Sequence, residues 1–346
     1  MKVRRAAKNL TVLIPAYNES ASVGDTVKSL LGQTAPPKEI IVINDCSTDT
    51  TALVAKRAGA RVIRPSKNTG SKAGAQNFGL TYVTTKYVMA IDADTTVAPD
   101  GIEKLLPALF EKNIAAACGY VIPRHKNTLW ERGRYIEYLM AFTFYKPIQN
   151  YFGKPLISSG CFSVYITKIL KKMGGWHTRT MAEDMDLTWS LYHAGYGVRF
   201  VAEAVSFPIE PHDFKFMKKQ LKRWSHGFMQ NVILHAGEII KIPYLSLIIS
   251  VGLWDAVVAS ISYLFLAPIL AIIFQNPLFL LAYVIDAPAV AVPAIWKSWE
   301  RKEFIQATVS LPAFFVLRLV NCVFILEAFW SEIIVRRRLT VYEKGH

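Results

Sequence analysis

Asp92 and Asp94 follow the apolar run Tyr87-Val88-Met89-Ala90-Ile91. The two-residue period of a strand puts both carboxylates on one side of its end. Hard oxygen donors so placed suit Mg²⁺ or Mn²⁺, which take few protein carboxylates and complete their shells with water and phosphate oxygens. The tripeptide alone also fits a solvated loop pair. The strand before it and the motifs around it favour the metal. A second acidic pair, Glu183-Asp184, opens the helical pattern Asp184 to Ala194, where negative charge complements the helix dipole.

Two more strand ends carry polar groups. Ile40-Ile41-Val42-Ile43-Asn44-Asp45 leads into the turn-rich Cys46-Ser47-Thr48-Asp49, and the first apolar run ends in Pro15-Ala16-Tyr17-Asn18-Glu19. Together the three ends offer an aromatic face for a base, carboxylates for base N–H or ribose hydroxyls, and metal-binding acids. Taken singly, Asp45 and Asn18 equally suit turn or cap positions.

From Phe214 to Phe228, Lys215, Lys218, Lys219 and Lys222 recur on one helical face and Phe214, Met217, Leu221, Trp224 and Phe228 on another. This reads as an interfacial helix, apolar residues in the acyl boundary and lysines toward anionic headgroups. An ordinary surface helix with a lysine stripe is the alternative. Gln220, Arg223 and Trp224 lie within one turn and need not all face lipid.

The elements positioning these residues alternate short β-branched runs with amphipathic stretches up to about Glu210, which predicts an α/β domain with a largely parallel sheet. Strands are expected at Leu10–Pro15, Glu39–Asn44, Arg61–Arg64, Tyr87–Asp92, Ala115–Val121 and Leu156–Val164. Helices are expected at Ser20–Gly32, Asp49–Ala58, Ala73–Val83 and Gly101–Glu111. Ligands of such sheets gather at the carboxyl ends of the strands, where the acidic signatures fall.

Past Lys241 the composition changes. Tyr244–Phe274 holds one charged residue, Asp255, over more than the roughly 20 residues that cross a bilayer core. Leu278–Trp296 and Phe304–Trp330 follow, so three membrane segments are expected. Three full crossings from a cytosolic catalytic domain would place Arg336-Arg337-Arg338 outside, against the positive-inside tendency. Phe304–Trp330, with Arg318, Asn321 and Glu327, is the candidate for an interfacial or re-entrant segment, or for polar groups facing a bundle interior.

Residues 1–241 hold 32 basic and 19 acidic side chains, which is 13 of the net +14. A basic domain beside apolar spans suits an anionic membrane surface and an anionic substrate. No basic nucleic-acid motif accompanies it, so nucleic acid is not an expected partner. Cys46, Cys118, Cys161 and Cys322 form no CxxC, and His177, His193, His212 and His226 share no metal spacing. There is neither GxGxxG nor a P-loop, which argues against dinucleotide oxidoreductases and P-loop ATPases.

Residues 10 to about 230 resemble the GT-A glycosyltransferases of family 2, particularly the membrane-integrated group containing cellulose, hyaluronan and poly-N-acetylglucosamine synthases. Six pieces carry the resemblance in the family's order: Pro15 to Glu19, Asn44 to Asp49, Asn68 to Asn77, Asp92-Ala93-Asp94, Ala182-Glu183-Asp184, and Gln220-Leu221-Lys222-Arg223-Trp224, the QxxRW pentapeptide. It implies a Rossmann-like GT-A fold followed by interfacial and transmembrane helices. Donor contacts would come from Pro15, Tyr17, Glu19 and Asp45 around the uridine, with Lys72 near the nucleotide and Asp92 on the donor. Asp94, with Asp92, would hold Mg²⁺ or Mn²⁺. Asp184, beside Glu183, would be the general base of an inverting transfer. Arg223 would stabilise the leaving diphosphate. Gln220, Trp224, Gly160 and Cys161 would border the acceptor, although a close backbone approach is an adequate local account of Gly160. Asn44-Asp45-Cys46 stands for the usual Asp-Asp-Gly, Ser71-Lys72 for Gly-Lys, and Ala182 where Thr is common.

The resulting expectation is a transferase moving sugar from a nucleotide-sugar donor, a UDP-sugar, to a glycan acceptor at the bilayer, with processive polymer synthesis in view. A non-processive enzyme glycosylating a membrane lipid is the first alternative, and a non-catalytic membrane scaffold the second. The expected organisation is a GT-A domain over 1–212, an amphipathic interfacial region over 213–241, and a membrane region with a basic tail over 242–346. A multi-pass cell-membrane protein with a cytoplasmic catalytic domain follows. Partner subunits are not specified by the sequence.

Overall fold

The computed structural model describes residues 2–285 and 287–340; Met1, Asp286 and the end of the expected basic tail, 341–346, lie outside them. The chain forms two units. One comprises the residues up to Arg124 with Lys146–Ile209, the other His125–Tyr145 with the residues from Glu210 onward.

The first unit is an eight-stranded sheet built from β1 (Leu10–Ala16), β2 (Glu39–Asn44), β3 (Arg61–Ile63), β4 (Tyr87–Ile91), β5 (Thr96–Val97), β6 (Ile114–Val121), β7 (Phe162–Ile166) and β8 (Gly197–Phe207), in the order β3-β2-β1-β4-β7-β6-β8-β5. The pairs β1–β2, β1–β4, β2–β3 and β6–β8 are parallel. The pairs β4–β7, β6–β7 and β5–β8 are antiparallel. Every residue of β4 and β6 is buried, as expected for apolar strands covered on both faces. Helix Val23–Leu31 buries Val23, Val27 and Leu30, one per turn, in the same core as Leu10, Val12 and Ile14. Each such aliphatic side chain contributes roughly 1.5–3 kcal/mol by leaving water.

Two register facts place the chemistry. Ala16 of β1 pairs with Asn44 of β2, so the Tyr17 and Asp45 loops emerge together. Ile91 at the end of β4 pairs antiparallel with Phe162 at the start of β7, so the chain leaves β4 into Asp92 beside the point where Gly160-Cys161 enters β7. The strand expected over Leu156–Val164 is instead Phe162–Ile166. Residues 156–161 are loop, and the strand begins at Phe162 because Gly160 instead approaches a neighbouring side chain.

The second unit is helical. Thr128 caps helix Leu129–Met140 with a capping box, its hydroxyl accepting from Glu131 N while Glu131 accepts from Thr128 N. That helix packs closely on helix Phe304–Phe329 at Gly133, where an added Cβ would lie 2.8 Å from Ala313 O and 2.9 Å from Leu317 Cβ. Among the described residues, three helices are long and apolar enough to cross a membrane: Pro243–Ile273, Pro277–Glu300 and Phe304–Ile334.

The helix expected over Phe214–Phe228 runs over Phe214–Ile239, with Asp213 accepting from Phe216 N at its start. Met217 and Leu221 do not face acyl chains. They are buried against Leu317 and Phe324 of the last apolar helix, and Lys222 pairs with Glu327 at 2.7 Å. On the same apolar helix Arg318 donates to the Tyr263 hydroxyl at 2.7 Å, so this polar group turns toward a neighbouring helix.

Candidate active site

In the first unit, the loop leaving β4 is held by its backbone. Thr26 Oγ1 donates to Ala93 O at 2.8 Å and Arg124 Nη2 to Asp94 O at 2.9 Å. The main chain of the tripeptide is thus held at two successive carbonyls, between and after the carboxylate-bearing positions. Asp94 Oδ1 accepts from Thr95 Oγ1 at 3.0 Å. Arg124 also approaches Asp25 at 3.8 Å. Burial pulls its pKa down while Asp25 and Asp94 pull it up, and the net shift is downward.

Lys72 is the junction between the acidic motifs. Its ammonium is ion-paired with Asp92, lies 3.7 Å from Glu183, and donates to Gly160 O at 3.2 Å. Ser71 explains the local departure at this point: its hydroxyl accepts from Gly74 N, capping the helix Lys72–Leu80 that carries the lysine.

From the other side of the same peptide, Gly160 N donates to Asp184 Oδ2 at 2.8 Å, while Met185 N donates to Asp184 Oδ1 at 2.9 Å. Asp184 is thus oriented through both oxygens. Its backbone is fixed as well, since Thr188 Oγ1 donates to Asp184 O and accepts from Ser158 N. Two residues on, buried Asp186 forms a bidentate pair with Arg179, both distances 2.8 Å, which ties the start of helix Glu183–His193 to the preceding loop. Beneath the glycine loop, buried Lys146 donates to Ser159 Oγ at 2.6 Å. Tyr165, on β7, is buried. Burial and the charge of Asp184 both push its phenol pKa upward, so it stays protonated at any physiological pH.

The structure therefore brings Lys72, Asp92, Gly160, Glu183 and Asp184 together, with Asp94 two residues from Asp92. Cys161 is half-buried against the core cluster. Sequence reading missed Arg124, Lys146, Arg179 and Thr188. None lies in a recognisable motif, and each acts through contacts distant in the chain.

The residues expected to contact the nucleotide lie at the adjacent β1 and β2 ends. Tyr17 follows β1 after Pro15 and Ala16 and is exposed. Glu19 is buried, accepts from the Ser22 hydroxyl at 2.8 Å, and donates its backbone N–H to Thr51 Oγ1. Asp45 is buried, and its two oxygens accept from Thr69 N and Thr69 Oγ1, both at 2.8 Å. Asn18 and Cys46 adopt φ of 55° and 63°, left-handed conformations that cluster at functional loops. Asn18 locks the two loops by donating from its backbone to Ser47 Oγ and accepting from Thr48 N.

Four carboxylates, Asp92, Asp94, Glu183 and Asp184, meet two cations, Lys72 and Arg124, in this region. The excess of hard anionic oxygen fits a divalent cation of the Mg²⁺ or Mn²⁺ type, with Asp94 and Asp92 as the residues to hold it.

In the second unit, Gln220 Oε1 accepts from Arg134 Nη2 at 2.7 Å, and the guanidinium carbon of Arg134 lies 4.5 Å from the Trp224 ring centroid. Arg223, between them, is half-buried.

The profile of Glycosyl transferase family 2 matches residues 11–174. The chain is 31% identical over 265 residues to a poly-beta-1,6-N-acetyl-D-glucosamine synthase of Staphylococcus epidermidis, covering 75% of this chain and 63% of that protein. It is 29% identical over 224 residues to the synthase of the same name from Staphylococcus aureus strain COL, covering 64% and 54%. The chain thus spans somewhat over half the length of these relatives. A mannosyltransferase from Pyrobaculum calidifontis, solved in complex with GDP-Man and Mn²⁺, superposes with a TM-score of 0.62 at 16% identity over 95% of this chain and 88% of that one, a likeness of fold. Residues 11–174 are thus similar to glycosyl transferase family 2, and the sheet and the order of its acidic loops agree with that likeness.

Proposed function

We propose that this chain is a metal-dependent, inverting glycosyltransferase that moves a sugar from a UDP-sugar to a growing glycan at the membrane. N-acetylglucosamine is the donor sugar to test first, because the synthases it matches are named for that polymer. The observation that carries the reading is the junction at Lys72 and Gly160, which joins the Asp92 loop to Asp184 through direct contacts.

In the proposed reaction, Asp184 accepts the proton of an acceptor hydroxyl as the hydroxyl oxygen attacks the anomeric carbon. The bond from that carbon to the diphosphate oxygen breaks on the opposite face, and the configuration inverts. Gly160 N–H and Met185 N–H hold the carboxylate in register, which is what a general base requires. A divalent ion of the kind named for the mannosyltransferase neutralises diphosphate charge when bound. Lys72 places a further positive charge among Asp92, Glu183 and Gly160, suited to a diphosphate. Tyr17, Glu19 and Asp45, after Pro15, are assigned to the uridine. Gln220, Arg223 and Trp224, with Gly160 and Cys161, are assigned to the acceptor and leaving group. The three apolar helices fit association with a bilayer; a multi-pass arrangement with the catalytic domain on the cytoplasmic side is part of the proposal.

The test is a panel of nucleotide sugars given with Mg²⁺ or Mn²⁺ to the purified full chain, read by nucleoside diphosphate release and by the size of the product. Glycosidase-sensitive material of high mass supports polymer synthesis. A single glycolipid product would replace it with one-sugar transfer to lipid, and turnover of no donor would leave only a scaffold role.

A further inference from the structure

Arg134 sits on helix Leu129–Met140 with a fully buried side chain, outside every recognised motif. Its Nη1 donates to Glu137 Oε2 at 2.5 Å, and its Nε lies 3.5 Å from Oε2 of Glu210. Glu210 is itself buried, accepts from the Tyr138 hydroxyl at 2.8 Å, and takes a longer bond from Gln220 Nε2 at 3.4 Å. Burial disfavours the guanidinium charge, but Glu137, Tyr138 and Glu210 outweigh it, so Arg134 stays a cation. The guanidinium also lies 5.8 Å from the Tyr138 ring centroid, and it reaches the pentapeptide helix: Nη2 contacts Gln220 Oε1 and, at 3.3 Å, Met217 Sδ, and the planar group lies over the Trp224 indole at the shorter 4.5 Å.

A buried ion pair adds little net stability over apolar residues of the same volume, because desolvation offsets its attraction. Its distinctive property here is direction. A planar guanidinium can fork to one partner and stack on another at once, which a lysine ammonium cannot. In this case the forked partner is Gln220 and the stacked one is Trp224, two of the three defining residues of QxxRW.

We infer that Arg134 is a positioning residue for the acceptor side of the reaction. It fixes the Gln220 amide and the plane of the Trp224 ring, so that the indole meets an acceptor sugar in one orientation. Glu210, with Tyr138, holds Arg134 in place. The inference rests on the transferase reading and on the acceptor role of the pentapeptide.

The test uses the purified full chain, with UDP-N-acetylglucosamine, Mg²⁺ and a chitooligosaccharide acceptor. Arg134→Lys keeps the charge beside Glu210 but loses the fork and the stack. The double variant Arg134→Met with Glu210→Gln removes both charges and retains the volume, so the fold does not depend on leaving one charge unpaired. Each variant is expected to raise the acceptor KM or lower transfer by about ten-fold or more, while the KM for the donor and the slow hydrolysis of donor by water stay within about two-fold of native. Transfer and acceptor KM both within two-fold of native in Arg134→Lys would overturn the inference, as would parallel loss of hydrolysis and transfer in that variant. If the double variant does not fold, Arg134→Lys alone decides. A native chain that turns over no donor in the wider panel marks failure of the transferase reading, whereas native turnover with unaffected variants marks failure of this inference alone.

Discussion

The backbone N–H of Gly160 donates to Asp184 Oδ2 at 2.8 Å, and a Cβ on Gly160 would stand 2.9 Å from that same oxygen and 3.2 Å from Lys72 Nζ. The glycine is thus required by close approach to the proposed base. Gly160→Ala is expected to push the carboxylate off its present line and lower kcat by about ten-fold or more, since misplacement of a reacting group by about 1 Å can cost on the order of 100-fold. Donor affinity, measured by calorimetry, should change far less. An alanine variant of native kcat would show that this contact does not set the geometry of the base.

Asp184→Asn keeps the shape but removes the proton acceptor, along with one of the two oxygens that accept backbone N–H groups. Transfer should fall by about 10²–10⁴ with nucleotide binding retained. Equal loss of UDP binding would count against the base assignment.

Asp94→Ala is expected to weaken nucleotide binding itself and to abolish its dependence on added Mg²⁺ or Mn²⁺. Chelation of the native protein should do the same, reversibly. Titrating UDP with and without chelator reads both; metal-independent binding by the native chain would exclude the proposed role of Asp94.

Cys46 sits at φ 63°, the region where an L-residue is strained, at the position where the resembling enzymes carry glycine. Cys46→Gly relieves that strain and gives back part of it as unfolded-chain entropy. A net gain of about 0.5–1 kcal/mol is expected, read as a higher midpoint of unfolding. A loss of stability would mean that the thiol's contact with Pro65 O, 3.7 Å, matters more than the backbone.

For Asp49, burial raises the pKa, but hydrogen bonds from Thr51 and Ser20 outweigh it and bring it from 3.8 to about 2. A folded pKa below the unfolded one gives stability present above about pH 4 and lost as the pH falls through about 2. Asp49→Asn should therefore be less stable than native at neutral pH, with the gap closing across that interval. A gap of constant size between pH 5 and pH 2, measured by denaturant unfolding, would refute the link. The carboxylate is exposed, so the effect is small.

The strands β1, β2 and β4 were legible because each is an unbroken β-branched or apolar run. The motif residues Asp92, Asp94, Asp184 and Lys72 were legible because their types and order are specific. β5 and β8 were not read. β8 mixes charged and apolar residues, and β5 is two residues long, so neither shows a clean period. Helix Leu129–Met140 was missed although Thr128 and Glu131 form a capping box, because the apolar stripe after them is broken by Arg132, Arg134 and Glu137.

The sequence by itself indicated the likeness to glycosyl transferase family 2, the α/β sheet and the apolar helices, since these depend on local runs and on the order of short motifs. Only the tertiary structure decided that Asp92 and Asp184 meet through Lys72 and Gly160, because that depends on the antiparallel pairing of Ile91 with Phe162. It alone decided that Met217 and Leu221 face protein rather than lipid, and that Arg134 holds Gln220 and Trp224. An amphipathic pattern says which face of a helix is apolar. It does not say what covers that face, because the covering atoms come from residues far away in the chain.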